Sequence, residues 1–431
     1  MLEPPEKEVQ QHLQSPLSCG NIQISRRGAR EVALCAQLRQ NAGPNHIQLP
    51  AIVSHPIDIH GAESRGCPVK ALVLWADRQS TNLGVQALAE GTSSLLSAAL
   101  PGVDIRLQSY GAGDSPLVFD SRLLFGLNNP ASKAAREVES WLESFDVVVD
   151  TGAGDSFADI YGMRRLIEMS SVRAAVARTG VPLMMGAQTI GPFKKNVGRK
   201  LGQYSIRGAN LVVARETASQ TYARTHLGVD ALLGTDVAFA IAQEEVPKSR
   251  QVLVNVSGLL WANSDHVDNM LYQERVVSLL RGLADAGHEV ALLSHVIDSE
   301  LADNDRFATE AAAAASGTVV EILTPRDLSD VRQMIASSRL VIGSRMHACL
   351  NALSQGVPTI PWAYSRKFAP LMADLNWGPV FDLRDNDDPV PGTLIAAASL
   401  MNDGGATLAQ GVRDIATEKN LLVSRAIGML L

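Results

Sequence analysis

Cysteine is scarce in this chain. Four occur in 431 residues, Cys19, Cys35, Cys67 and Cys349, and none belongs to a Cys-x-x-Cys pair. That scarcity excludes a disulfide framework and a structural zinc site, so reduced thiols are expected. Basic residues are not in excess either: 38 Lys and Arg stand against 45 Asp and Glu, for a formal net charge of -7. Without a global positive field, nucleic-acid binding is not expected. No apolar run approaches the ~18 residues that a membrane span requires. The start, Met-Leu-Glu-Pro-Pro-Glu-Lys-Glu, lacks the basic stretch followed by an apolar stretch that marks a secretory leader. The expected location is the cytoplasm.

A third scarcity is local. Residues 1–67 contain no Phe, Trp or Tyr, yet hold three of the four cysteines and four of the nine histidines. A segment without aromatics builds a poor core, so 1–67 reads as an amino-terminal extension, partly disordered. His55 and His60 lie within it among Pro and polar residues, with no second ligand cluster of fitting spacing. A solvated loop is the preferred reading there over a metal site.

From residue 69 onward, short Val/Leu/Ile runs alternate with longer stretches of helical period, the signature of βαβ units and parallel sheet. Strands are expected over 70–75, 103–108, 146–150, 182–186 and 211–214, with helices over 84–99, 133–144, 161–178 and 217–225. After a polar stretch at 243–250 the pattern restarts. Strands are expected over 252–256, 289–293, 318–322, 340–342 and 357–360, with helices over 267–286, 299–315, 328–336 and 347–355. A closing helix over 412–430 is placed to pack across both halves. The resulting division is an extension over 1–67 and two α/β halves over 68–245 and 246–431.

Ligands of open α/β sheets sit beyond the carboxyl ends of strands, so the residues after each apolar run are the candidates. Asn82-Leu-Gly84 follows the first strand, where Gly84 can open a helix and offer backbone N–H groups to an anion. Gly152-Ala-Gly154-Asp155 and Asp159 follow the third, the glycines allowing close backbone approach and either aspartate able to hold hydroxyls. Gln188 and Gly191 follow the fourth. In the second half, Gly343-Ser-Arg345-Met-His347 closes a strand and opens a helix. An arginine at such a turn can clamp a phosphate or carboxylate and a histidine can transfer a proton; a pairing of Arg345 with carboxylates, and a core role for His347, stand as the plain alternative. Arg215 after the fifth strand and Tyr364-Ser-Arg366-Lys367 after the last add cations at matching edges, which suits an anionic small substrate.

These residues together resemble the polysaccharide pyruvyl transferases. The carriers are Asn82-Leu-Gly84, the turn over 150–159, Gly186-Ala-Gln-Thr-Ile-Gly-Pro192, Val213-Ala-Arg-Glu-Thr-Ala-Ser219, Gly234-Thr-Asp236-Val-Ala-Phe239, Gly343-Ser-Arg-Met-His347, and Gly356-Val-Pro358 with Tyr364-Ser-Arg-Lys367. The match runs from about Val69 to Asp382; Val85 stands where the family usually has Asp after the glycine. The resemblance implies an α/β fold like that of the GT-B glycosyltransferases, with two Rossmann-like halves facing across a cleft, the first on the acceptor side. It implies transfer of pyruvate from phosphoenolpyruvate onto a sugar of a polysaccharide or glycolipid precursor as a ketal. Arg345 and Arg215 are then expected to hold the donor's anions bidentately and His347 to move the proton. Asn82, Gly84, Gly152, Gly154, Asp159, Gln188, Gly191, Asp236, His295, Tyr364 and Lys367 are expected to line the substrates. That scheme uses phosphoenolpyruvate as co-substrate and calls for no metal or other cofactor. Two alternatives stay open: a GT-B glycosyltransferase using a nucleotide sugar, and a catalytically silent sugar-binding protein of the same fold.

Overall fold

The computed structural model describes residues 68–431 apart from 112, 155–156, 263–264, 298–302, 386 and 403. The extension over 1–67 lies outside the described residues. The first half runs β1 (Lys70–Leu74), α1 (Leu83–Ala99), β2 (Asp104–Gln108), α2 (Ser121–Gly126), α3 (Lys133–Leu142), β3 (Val147–Asp150), α4 (Met163–Thr179), β4 (Leu183–Gln188), α5 (Asn196–Arg207), β5 (Leu211–Ala214), α6 (Thr217–Tyr222) and β6 (Leu232–Leu233). The second runs β7 (Arg250–Asn255), α7 (Gly258–Trp261), α8 (Asn269–Asp285), β8 (Val290–Leu293), α9 (Asp305–Ser316), β9 (Glu321–Leu323), α10 (Leu328–Ala336), β10 (Ser338–Gly343), α11 (Met346–Ser354), β11 (Thr359–Ala363), α12 (Phe368–Asp374) and β12 (Phe381–Asp382). Two helices close the chain, α13 (Pro389–Asn402) and α14 (Gly405–Gly428).

Each half is one six-stranded parallel sheet, ordered β2-β1-β3-β4-β5-β6 and β12-β11-β10-β7-β8-β9. Strands sandwiched by helices must be apolar on both faces, and β3 (Val-Val-Val-Asp) and β8 (Val-Ala-Leu-Leu) are buried at every position. Short polar residues start the helices: Asn82, Ser132, Asp268, Asn304 and Asp327 each accept a first-turn N–H.

Helix α1 couples the halves. Its Leu88, Ala89, Leu95 and Leu96 pack on the first sheet, whereas Leu83 and Ala87 enter a cluster of the second half with Leu293, Leu328 and Val341. Residues Thr81–Leu83 also run antiparallel to His295–Ile297: Ile297 N donates to Thr81 O at 2.9 Å and Leu83 N to His295 O at 3.3 Å. Helix α14 repeats the device, placing Ala409, Val412 and Ala416 in the second half's core and Val423, Ala426 and Ile427 in the first's.

Several elements depart from expectation for identifiable reasons. Helix α5 was not foreseen because Gly198 and Gly202 weaken helix propensity. Both are required by packing: a Cβ on Gly198 would come 2.6 Å from Asp159 Oδ2, and one on Gly202 would come 2.5 Å from the Phe193 ring. Helix α13 opens on Pro-Val-Pro-Gly, which reads as a loop but is tolerated in a first turn. The expected strand at 318–322 is displaced to Glu321–Leu323, with Val319 fully exposed. The helix expected over 217–225 is α6 followed by a π-helical turn at Ala223–Leu227. The helix expected from 299 begins, among the described residues, at Asp305.

Candidate active site

In the first sheet the strand order reverses between β1 and β3; in the second it reverses between β7 and β10. A crevice opens at such reversals, because the connections leave to opposite faces. His347, in the first turn of α11 after β10, joins the two crevices. A Cβ on Gly84, at the start of α1, would come 2.6 Å from its Nδ1, and a Cβ on Gly154, after β3, would come 3.9 Å from its Cε1. Glycine is therefore needed at Gly84 for the imidazole to fit. At Gly152 and Gly154 the need is conformational as well, with φ of 63° and 74°, and Ala153 between them holds φ 55°. Gln188 lies over this turn: its Oε1 would be 2.4 Å from a Cβ on Gly152, and its Nε2 donates to the Asp150 and Gly186 carbonyls at 3.3 Å.

Asp236 backs His347 on the other ring nitrogen. Its Oδ2 lies 3.8 Å from His347 Nε2 and accepts a 3.1 Å hydrogen bond from Arg215 Nη1. Arg215 Nη2 donates to Thr189 Oγ1 at 2.8 Å, and Glu216 lies 3.7 Å from its Nε. With 1% exposure, Arg215 has its fork filled by the protein itself, so the expected bidentate clamp on a donor anion is not what the structure shows. Its contacts make it the support of Asp236, whose carboxylate faces His347 Nε2 at 3.8 Å.

Arg345 is also buried against a carboxylate. Its Nε donates to Asp305 Oδ1 at 3.0 Å and its Nη2 to the same oxygen at 2.6 Å, with a further bond from Nη2 to the Asp303 carbonyl. A two-nitrogen clamp on a ligand from that edge is thus ruled out in this arrangement. Nη1 makes no hydrogen bond among the described residues, and the side chain keeps 10% exposure. Arg345 is the N-cap of α11 without a side-chain cap bond, and the start of that helix carries the positive end of its dipole.

His295 stands behind this pair, its Nε2 3.2 Å from Asn351 Nδ2. Full burial, reinforced by the nearby His347 and Arg345, pushes its imidazole down to about 3 from an ordinary 6.5. It is therefore neutral at working pH, and at 1% exposure the ring offers little surface to a substrate, unlike the expectation that it lines one. The unfolded chain takes up the proton that the folded site refuses, so stability is lost as pH falls from about 6.5 to about 3. Urea midpoints should decline across that window and the decline should flatten in His295→Gln; an unchanged slope in the variant would assign it to other groups.

The remaining candidates scatter. Asn82 is the N-cap of α1, its Oδ1 accepting the Gly84 N–H at 2.9 Å, so that N–H is not on offer to an anion. Asp159 accepts the Lys194 and Lys195 N–H groups at 2.7 Å each and serves the entry to α5, not substrate hydroxyls. Asp155 lies outside the described residues. Gly191 (φ 67°) gives its carbonyl to Arg366 Nη2 at 2.6 Å. Lys367 donates to Tyr161 Oη at 2.7 Å across the halves. Tyr364 packs its ring on His266 and Phe368. Residues without any sequence signal are Asp305, Asn255 and Asn351; Asn255 Oδ1 accepts the Arg345 N–H at 2.9 Å at the β7–β10 reversal.

Comparison with known proteins places this geometry. The model of the polysaccharide pyruvyl transferase family matches residues 82–366. The amylovoran biosynthesis protein AmsJ of Erwinia amylovora is 22% identical over 307 residues, covering 66% of this chain and 70% of that protein. A putative UDP-N-acetylglucosamine 2-epimerase from Listeria monocytogenes shares the fold with a TM-score of 0.50 at 12% identity, over 83% of this chain and 95% of that one. A glycosyltransferase from Rickettsia africae gives 0.48 at 13% identity, over 84% and 96%. The two six-stranded parallel sheets, with the Listeria structure at a TM-score of 0.50, give this chain a GT-B-like α/β architecture. Among the described residues no helix is long and apolar enough to cross a membrane. The family match covers well over half of the chain and includes His347, Arg345, Asp236 and the Gly84 turn: the chain belongs to the polysaccharide pyruvyl transferase family, transferases of polysaccharide biosynthesis.

Proposed function

We propose that this chain transfers pyruvate from phosphoenolpyruvate to a sugar as a ketal. The observation that carries the reading is His347, held between the two strand-order reversals with Asp236 at 3.8 Å and Arg345 two residues before it. Phosphoenolpyruvate carries two anionic groups, a phosphate and a carboxylate, and Nη1 of Arg345 together with the uncapped start of α11 suits one of them next to a proton-transfer group. In the reaction C3 of the enol takes a proton, a sugar hydroxyl adds to C2 and loses its proton, and phosphate departs. A second hydroxyl of the same sugar then closes the ketal. His347 is the group that moves a proton, with the Asp236 carboxylate 3.8 Å from its Nε2. The acceptor, lipid-linked or polymeric, enters from the half that carries the Gly152–Gly154 turn.

Incubation with phosphoenolpyruvate and a panel of glycans and glycolipids should release inorganic phosphate and add one pyruvyl group to an acceptor, read by mass spectrometry. Absence of phosphate release across the panel, together with saturable binding of a nucleotide sugar, would replace this reading by glycosyl transfer.

A further inference from the structure

Asp305 is fully buried and belongs to no motif, yet it receives more hydrogen bonds than any strand-end residue described above. Its Oδ1 accepts from Gly258 N at 2.7 Å, from Arg345 Nε at 3.0 Å and from Arg345 Nη2 at 2.6 Å. Its Oδ2 accepts from the N–H groups of His295 and Val296, both at 3.0 Å, with Asn255 Nδ2 at 3.5 Å. Its own N–H donates to the Val296 carbonyl at 2.9 Å. One carboxylate therefore ties together the ends of β7, β8 and β10. The His295–Ile297 segment it holds is the one that pairs with Thr81–Leu83 in front of α1.

The consequence for Arg345 is specific. Nε and both protons of Nη2 are taken by Asp305 and the Asp303 carbonyl, which closes the Nε/Nη2 edge and the Nη1/Nη2 edge alike as a two-nitrogen fork toward a ligand. The plane of the guanidinium is thereby fixed, and Nη1 is the nitrogen left for an anion. An isolated arginine on a helix cap would sample several rotamers, and ordering it on binding would subtract from affinity. A buried carboxylate that accepts two charge-assisted bonds from it removes that freedom beforehand.

We infer that Asp305 is a positioning residue for donor binding: it presets Arg345 so that Nη1 meets one anionic group of the donor. The inference rests on the reading of phosphoenolpyruvate as donor. It is a claim about action through Arg345, which separates it from a general structural role.

The test is a double-mutant cycle on the full-length protein, with phosphoenolpyruvate affinity measured by calorimetry and fold by thermal unfolding. Asp305→Asn is expected to fold and to weaken phosphoenolpyruvate binding by about 10- to 100-fold, the scale of a lost bond to a charged group. In an Arg345→Gln background the same substitution should change affinity by less than about 3-fold, because its intermediary is gone. Equal losses in both backgrounds would overturn the inference, as would unchanged affinity in folded Asp305→Asn. If the Asn variant does not fold, Asp305→Glu carries the test: it keeps the charge but displaces the carboxylate by one methylene, and affinity equal to wild type would overturn the inference too. Wild-type protein that does not bind phosphoenolpyruvate would overturn the donor reading itself and this inference with it, whereas wild-type binding with an additive cycle would overturn only the inference.

Discussion

His347→Asn is expected to slow turnover by about 10²- to 10⁴-fold, the range for a lost general acid or base, while leaving the fold and phosphoenolpyruvate affinity close to wild type. The expectation follows from where the ring sits. Asn matches the shape near Nδ1 and keeps the close approach to Gly84, so the packing of α1 against α11 is preserved. What disappears is the nitrogen that faces Asp236 at 3.8 Å, and with it the capacity to carry a proton at neutral pH. The helix N-terminus disfavours an imidazolium at this position, whereas Asp236 and a bound dianion favour one, so donor binding should raise the proton affinity of the ring. Pre-steady-state measurement of phosphate release against titrated donor affinity separates the two effects. Turnover near the wild-type rate in His347→Asn would make the residue structural.

Arg215→Met should cost about 3–5 kcal/mol of stability, the scale for removing one partner of a buried ion pair. The side chain is 1% exposed and Asp236 is equally buried, so deletion of the guanidinium leaves a carboxylate desolvated with no full replacement. Thr189 also loses its donor. Urea unfolding reads the loss directly. A variant within about 1 kcal/mol of wild type would argue that Arg215 spends its charge on a ligand and not on Asp236, since substrate-binding residues are removable at little cost to the folded state. In the expected case, the pH–rate profile of any active Arg215→Met fraction should move to higher pH. An unneutralised Asp236 raises the proton affinity of His347.

The candidate site was legible in part, and the boundary follows chemical range. His347 and Arg345 stood out because they follow the apolar run of β10 directly, and a strand end in a parallel sheet opens onto the ligand crevice. Gly152 and Gly154 were readable as close-approach positions, whereas Gly84, read as an N–H donor to an anion, is the glycine that the imidazole of His347 approaches, and only the fold shows that the amide of Gln188 lies over Gly152. Arg215 was read as an anion clamp because strand-end arginines serve that purpose, and its partner Asp236 lies 21 residues further on. Asp159 was misread for a related reason: a carboxylate after a glycine turn suits hydroxyl binding, but the backbone of Lys194 and Lys195 reaches it first.

By itself the sequence determined the βαβ alternation, five of the six strands in each half, the starts of α1, α3, α6, α10 and α11, and the set of polar residues delivered to the strand ends. These are local matters of period, capping and turn chemistry, settled within a few residues of chain. Only the tertiary structure decided which of those groups remain open to a ligand. Buried charges must find partners, and Asp305 with Arg345, and Asp236 with Arg215, found them across 40 and 21 residues. The docking of α1 and α14 against both sheets then set His347 opposite Gly84 and Asp236, because burying their apolar faces fixes the distance between halves that no local pattern encodes.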